Sequence, residues 1–285
     1  MSVQALKLNR KKIKFTRVML WVLIVILLFF ALFPIYWIVI TSFKTNNAVI
    51  QRVQTWVPIP FTTMQYKAIF ARATFWSSLK NSILTSLFAT LISLVVSLLL
   101  AYAVSRTQMK GKRVILGFVL FTYLLPIFLL FIPIYCVMAK IGLANNILSL
   151  YIIYPVTCIP YATWVFVTYL RSIPFSLEEA AMIDGCSKMG IIIRIVVPLA
   201  LPGIMSIGIF CFTRVWNEFL LAFSLLSDPK QFTLMITIKD YMVGDMFAWG
   251  KVFATSVCAS VPVMVLYFLS SKWIVSGMTL GSVKE

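Results

Sequence analysis

Apolar positions in this chain do not alternate with polar ones; they run together. Uncharged stretches cover Val18–Phe43, Asn81–Ser105, Val114–Ala139, Ile141–Leu170, Ile195–Thr213 and Val252–Ser271. A helix rises about 1.5 Å per residue, so about 20 apolar residues cross a hydrocarbon core. Each stretch is long enough, or nearly so. Arg214 closes the fifth, but apolar character resumes at Phe219 and continues to Leu226, which predicts one span from about Pro198 to Leu226 with Arg214 and Glu218 inside it. Backbone groups in lipid must be satisfied within their own segment, so the expected fold is an all-α membrane protein of six transmembrane helices.

Composition supports that reading. Of 285 residues, 61% are hydrophobic and 12% charged, against about 45–50% and about 25% in a soluble domain. The net charge of +17 invites a nucleic-acid partner, but the basic residues sit in short clusters between uncharged runs and read as topology signals, with no nucleic acid implied. The first segment follows a basic leader, Lys7 to Arg17. Its apolar run is too long for a signal peptide and no small-x-small cleavage site follows, so it reads as a retained anchor.

The placement of Lys and Arg predicts orientation. Lys7, Arg10, Lys11, Lys12, Lys14 and Arg17 precede the first span, and Arg106, Lys110, Lys112 and Arg113 crowd the turn between the second and third. Both regions are expected in the cytoplasm, and an even number of crossings returns the C-terminus there. The loops Lys44–Lys80 and Ser227–Lys251 then face outward; basic residues in the first oppose this weakly, because long translocated loops obey the charge rule poorly. The expected organisation is a basic N-terminus (1–17), a first helix (18–43), an extracytoplasmic loop (44–80), a five-helix core (81–271) and a cytoplasmic tail (272–285).

The segment between the fourth and fifth spans, about 172–198, carries the clearest local chemistry. Pro174 stops the fourth helix. Ser176 and Glu179 have the spacing of a capping box, while Glu178 and Glu179 favour the positive end of a new helix. Ala180 and Ala181 permit close approach of a partner surface, and Gly185 suits a turn that needs positive φ. A second helical stretch follows from Ser187 and is stopped or bent at Pro198. Ile191–Val197 is β-branched and would pass for a strand, but an unpaired strand entering lipid leaves its backbone unsatisfied. Physics alone leaves two readings: an ordinary amphipathic interfacial helix, or a docking elbow.

Here the sequence resembles a known family. Glu179-Ala180-Ala181, then Gly185, then Ile195-x-Val197-Pro198 resembles the EAA motif of ABC-importer permeases, with Val197 where the consensus has Leu. Asn81-Ser-Ile-Leu-Thr, Ala101-Tyr-Ala-Val-Ser-Arg106, Trp216-Asn-Glu-Phe-Leu-Leu and Ser276-Gly-Met-Thr-Leu-Gly-Ser-Val-Lys284 look like the maltose-type G subunit of the carbohydrate branch. The resemblance covers nearly the whole chain in order. It implies a MetI-like permease fold in a bacterial or archaeal cytoplasmic membrane, importing a sugar or oligosaccharide. It also implies a second homologous permease, two ATPase subunits and an extracytoplasmic binding protein as partners, with ATP and Mg bound on the ATPase and no cofactor in this chain. Glu179, Ala180, Ala181, Asp184, Gly185 and Pro198 would form the coupling segment. The tail with Gly277 and Gly281 would approach the ATPase interface.

No phosphate-cradling G-x-x-x-x-G-K-[ST] loop occurs in the chain, so ATP hydrolysis is expected on another subunit and the chain itself is not expected to be an enzyme. It has no histidine, which removes the commonest general base. Arg214 and Glu218, four apart inside a span, read either as an ion pair pinning the fifth helix or as path-lining groups, with Asn217 sharing their turn. Cys136, Cys158, Cys186, Cys211 and Cys258 read as small buried apolar groups with no metal or disulfide role. An ion-coupled secondary transporter is the alternative function; it would place ion-binding acids near the midplane in broken helices.

Overall fold

The computed structural model describes the backbone of residues 3–242 and 247–280, and side chains across 16–242 and 247–271. Helix is the only regular structure among them. Contacts divide the chain into two compact units, one comprising residues 1–71 and 241–258, the other 72–240 and 259–285.

In the first unit, α1 (Val3–Ser42) is followed by the short helices α2 (Asn46–Ile50) and α3 (Met64–Phe70). The apolar part of α1, Thr16–Ser42, has none of its most hydrophobic window buried, as a lipid-facing helix would. Beyond it the chain is tied back by aromatic contacts and one buried cation. Trp56 meets Phe33 and Trp37 edge-on or tilted, and the Tyr36 hydroxyl donates to the Trp56 carbonyl. Lys44 is fully buried; its Nζ donates to the Thr55 carbonyl at 2.6 Å and lies 4.7 Å from the centre of the Trp37 ring. Burial holds this amine below its ordinary pKa.

The second unit contains α4 (Ala73–Arg106), α5 (Lys112–Leu124), α6 (Ile127–Lys140) and α7 (Leu148–Ser172). After these come α8 (Ser176–Ile183), α9 (Lys188–Ile191), a π turn (Ile192–Val196) and α10 (Val197–Leu199). The remaining helices are α11 (Leu201–Trp216), α12 (Leu220–Leu225), α13 (Leu234–Asp240) and α14 (Trp249–Leu280), whose first residues belong to the other unit.

Helices α4 and α7 form the centre of this unit and run parallel. The Ser93 hydroxyl donates to the Pro155 carbonyl and Ser97 to Ile159, and the register carries on to Arg106 beside Leu170. Parallel packing at this range is possible because Ser82, Ser86, Ala89, Ser93, Ser97 and Ala101 place a buried small-residue stripe along one face of α4. At the other end, the Asn81 amide donates to the carbonyls of Lys230 and Phe232, and Ser82 accepts from Leu234 N–H.

The expected spans need correcting in three places. Among the described residues, four helices are long and apolar enough to cross a membrane, rising to six if each of two bent pairs counts as one span. The third expected span is such a pair: α5 and α6 meet at 100° around Pro126, because Leu125, the residue before the proline, is held extended. The fifth is the other, with Lys188–Leu199 and Leu201–Trp216 at 81°. Pro198 and Pro202, four apart, each remove a helical donor there. The apolar segment α12 is a separate helix, so Pro198–Leu226 is not one span. Finally, α4 begins at Ala73, so the C-terminal end of the expected 44–80 loop, including Lys80, is helical.

Pro155 and Pro160 sit inside an unbroken α7 and Pro262 inside α14, so proline alone does not dictate a break. Cys158 and Cys211 are buried as expected, Cys186 and Cys258 are half-buried, and Cys136 is exposed. Gly281 lies outside the described residues, and Gly277 outside the described side chains, although its backbone is helical.

Candidate functional site

The parallel arrangement of α4 and α7 brings their C-terminal ends together, and α8 is built across that end. Ile173 is extended and Pro174 cannot continue α7. Helix α8 then starts one residue earlier than a Ser176 cap requires. Phe175 is the N-cap with helical dihedrals, and its carbonyl takes bonds from Glu178 N–H at 2.9 Å and Glu179 N–H at 3.1 Å. The capping box between Ser176 and Glu179 therefore does not form. Ser176 lies within the helix and Glu179 is exposed.

The acid on the inner face of α8 is Glu178. It is fully buried, with Oε1 at 2.8 Å from Arg106 Nε and Oε2 accepting from the Tyr102 hydroxyl at 2.9 Å. Arg106 also donates through Nη2 to the carbonyls of Leu170 and Ile173, at 2.6 and 2.7 Å. These carbonyls belong to the end of α7, where helical partners run out. One guanidinium thus closes the last turn of α4, the end of α7 and the first turn of α8, and its carbon stands 5.5 Å from the Phe175 ring centre. A buried carboxylate of this kind is sustained only by pairing and by hydrogen bonds to its remaining lone pairs. By local spacing alone, Glu178 is a helix-dipole charge and Arg106 a topology charge. The available signal was Tyr102 and Arg106 at i, i+4 on one face at a helix end.

Ala181 follows Glu178 by three residues and faces inward with it, whereas Glu179, Ala180 and Asp184 are exposed. The expectation that both alanines present themselves to a partner is thus corrected: Ala181 packs against its own chain. The helix ends in a Schellman turn, with Cys186 N–H bonding the Ala181 carbonyl at 2.9 Å and Gly185 N–H bonding that of Met182 at 3.1 Å. Gly185 has φ +77°, in the left-handed region where a Cβ is strained, and no atom occupies the space a Cβ would take. Ser187 then caps α9, accepting from Gly190 N–H at 3.2 Å, and the β-branched run 191–197 is helical, in part as the π turn. The outer face of this elbow carries Leu177, Met182, Met189 and Ile183, the last 86% exposed, beside Glu179 and Asp184. Pro198 is exposed beyond the π turn, at the sharp bend and not on the elbow.

The second group of expected residues separates. Helix α11 stops at Trp216, so Arg214 and Glu218 do not share a helix, and no ion pair joins them. Glu218 caps α12 instead, its carboxylate accepting from Leu221 N–H at 2.8 Å, Ala222 N–H at 3.1 Å and the Tyr154 hydroxyl at 3.0 Å. Arg214 turns away, 5.9 Å from the Tyr123 ring centre. It borders an open cleft of about 460 Å³ lined by Ser206, Ile209, Phe210, Thr213, Arg214, Asn217 and Tyr267.

A family model described as "Binding-protein-dependent transport system inner membrane component" matches residues 93–279. The chain is 36% identical over 259 residues to the sulfoquinovosyl glycerol transport system permease protein SmoH of Agrobacterium fabrum, covering 91% of each. It is 31% identical over 271 residues to the trehalose/maltose transport system permease protein MalG of Thermococcus litoralis, covering 94% of this chain and 97% of that one. Among solved structures, a chain of a bacterial ABC transporter involved in import of the acidic polysaccharide alginate superposes with a TM-score of 0.79 at 26% identity, over 92% of this chain and 97% of that chain.

Proposed function

The chain belongs to the family of binding-protein-dependent transport system inner membrane components, and we propose that it is one of two permease subunits of an ATP-driven sugar importer. Its similarity to permeases named for trehalose/maltose and sulfoquinovosyl glycerol, and to a transporter of alginate, supports a carbohydrate as cargo.

The observation that carries the coupling assignment is the elbow at α8–α9. It is held rigidly from behind by Glu178 and Arg106 and turned by Gly185, while its outer face stays exposed and apolar with two acids. An exposed apolar patch edged by charge is the mark of an interaction surface. In this proposal a cytoplasmic ATPase grips that face. Glu179 meets a basic group, and Ala180 together with the apolar residues fills a groove. Closure of the ATPase pair around ATP and Mg moves the elbow, and Arg106 passes the movement directly to the ends of α4 and α7. Alternating access then follows as a two-state change biased by the partner's contacts. The orientation required is the one the basic clusters favour, with both termini in the cytoplasm of a bacterial or archaeal cell and a binding protein delivering sugar from outside.

The ion-coupled alternative has nothing to rest on. Its candidate acid, Glu218, spends its oxygens on two amides and a tyrosine hydroxyl.

The test is reconstitution of this chain with the neighbouring-gene permease, ATPase and binding protein. Loaded binding protein should stimulate ATP hydrolysis and sugar uptake. Ile183→Cys should crosslink to the ATPase in the assembled complex. Uptake driven by an ion gradient without ATP would refute the proposal.

A further inference from the structure

Along α11 and at its C-cap, Ser206, Phe210, Thr213, Arg214 and Asn217 recur at helical spacing on the face that borders the cleft. Ser206, Thr213, Arg214 and Asn217 set polar groups into a wall that is otherwise largely apolar, and its charge is unbalanced. The one carboxylate near in sequence, Glu218, is already committed to Tyr154 and the start of α12. Among the described residues Arg214 forms no ion pair and donates no hydrogen bond; its neighbour is the Tyr123 ring. A guanidinium within a membrane span is tolerated against water or an anion, and its planar fork matches a carboxylate or sulfonate better than an ammonium would.

The neighbours suit a sugar. Asn217 donates its amide to the Thr213 carbonyl at 2.9 Å, which leaves its Oδ1 as an acceptor for a hydroxyl. The Phe210 ring lies tilted against Tyr161, with 3.9 Å between ring centres, giving an aromatic wall beside the polar groups, and Tyr267 closes another side. The cleft volume, about 460 Å³, lies in the usual range for small-molecule sites.

We propose that this cleft is a transit site for an anionic sugar, with Arg214 pairing with its carboxylate or sulfonate and Asn217 accepting from a ring hydroxyl. The inference rests on the importer reading and adds the charge class of the cargo.

The test uses the purified assembly of both permeases and the ATPase, without binding protein, so that selectivity of the transmembrane path is measured alone. Calorimetric titration with a diuronate, a sulfonated hexose and a neutral glucose disaccharide compares the wild type with Arg214→Gln and Arg214→Lys. The wild type is expected to prefer an acidic probe. Arg214→Gln is expected to shift the acidic-to-neutral preference by about ten- to a hundredfold toward the neutral sugar, and Arg214→Lys to restore part of it. The diuronate and sulfonate arms distinguish which anion is read.

Equal binding of neutral and acidic probes by the wild type overturns the inference while leaving the importer reading intact. So does an unchanged preference in Arg214→Gln, or failure of that variant to co-purify with the second permease, which would assign Arg214 to a subunit-bridging ion pair. Failure of the wild-type chain to assemble with any ATPase removes the importer reading and this inference together.

Discussion

Glu178 and Arg106, 72 residues apart in sequence, meet at 2.8 Å where three helices converge. Their side chains are 0% and 11% exposed. Removal of either leaves the other buried without its partner, so Arg106→Ala is expected to cost about 3–5 kcal/mol. The apolar double variant Arg106→Met/Glu178→Met should cost less than the sum of the singles. Denaturant or thermal melting of the detergent-purified protein, arranged as a double-mutant cycle, measures both.

Adjacent acids on α8 should behave in opposite ways. Glu179 is exposed, so Glu179→Ala should leave stability within about 0.5 kcal/mol yet reduce ATP-driven uptake and ATPase association. Glu178→Ala should lower the melting temperature as well as uptake. Equal melting of the two variants would contradict the assigned burial.

At Gly185 the left-handed backbone sets the expected order. Gly185→Ala should destabilise by about 1–2 kcal/mol, Gly185→Asn by less, and Gly185→Leu should also place bulk on the docking elbow. Membrane insertion should persist in all three while coupled ATP hydrolysis declines from Asn to Leu. Wild-type uptake by Gly185→Leu would contradict the coupling assignment.

Gly203 permits the close approach of α11 to α7. A Cβ there would lie 2.8–2.9 Å from ring atoms of Tyr169, so Gly203→Ala should cost about 1–3 kcal/mol through overpacking. Adding Tyr169→Val should recover part of the loss, as read by melting of the purified protein.

The buried amine of Lys44 predicts a pH dependence. Its folded-state pKa lies below the ordinary value of 10.5, so between that lowered value and 10.5 the unfolded chain holds more protons. Stability from this group therefore rises with pH across that window. The difference in melting temperature between wild type and Lys44→Met, followed up to pH 10.5, should shift in favour of the wild type as pH rises; a flat difference would contradict the burial.

Much of the elbow was legible because its signals are local. Pro174, the acid pair, Gly185 and Ser187 act within one or two turns, and the structure retains the helix–turn–helix they specify. The capping box fails for a local reason too: Phe175, not Ser176, stands at the N-cap, and its carbonyl takes the Glu178 and Glu179 donors. Glu178 and Arg106 were each visible as charges, but their partnership depends on α4 and α7 packing in parallel. Arg214 and Glu218 show the converse. Their i, i+4 spacing implied a pair, and the end of α11 at Trp216 separated them.

By itself, the sequence determined that the chain lives in lipid, where its apolar runs lie and where its elbow turns. Those follow from backbone hydrogen bonding and side-chain transfer, which each segment obeys alone. Tertiary structure decided which prolines break a helix, which of two neighbouring acids is buried and which cation is left facing a cleft. In a medium of low dielectric, charges and unsatisfied carbonyls are strongly driven to find partners, and those partners lie on other helices. Local spacing does not encode who they are.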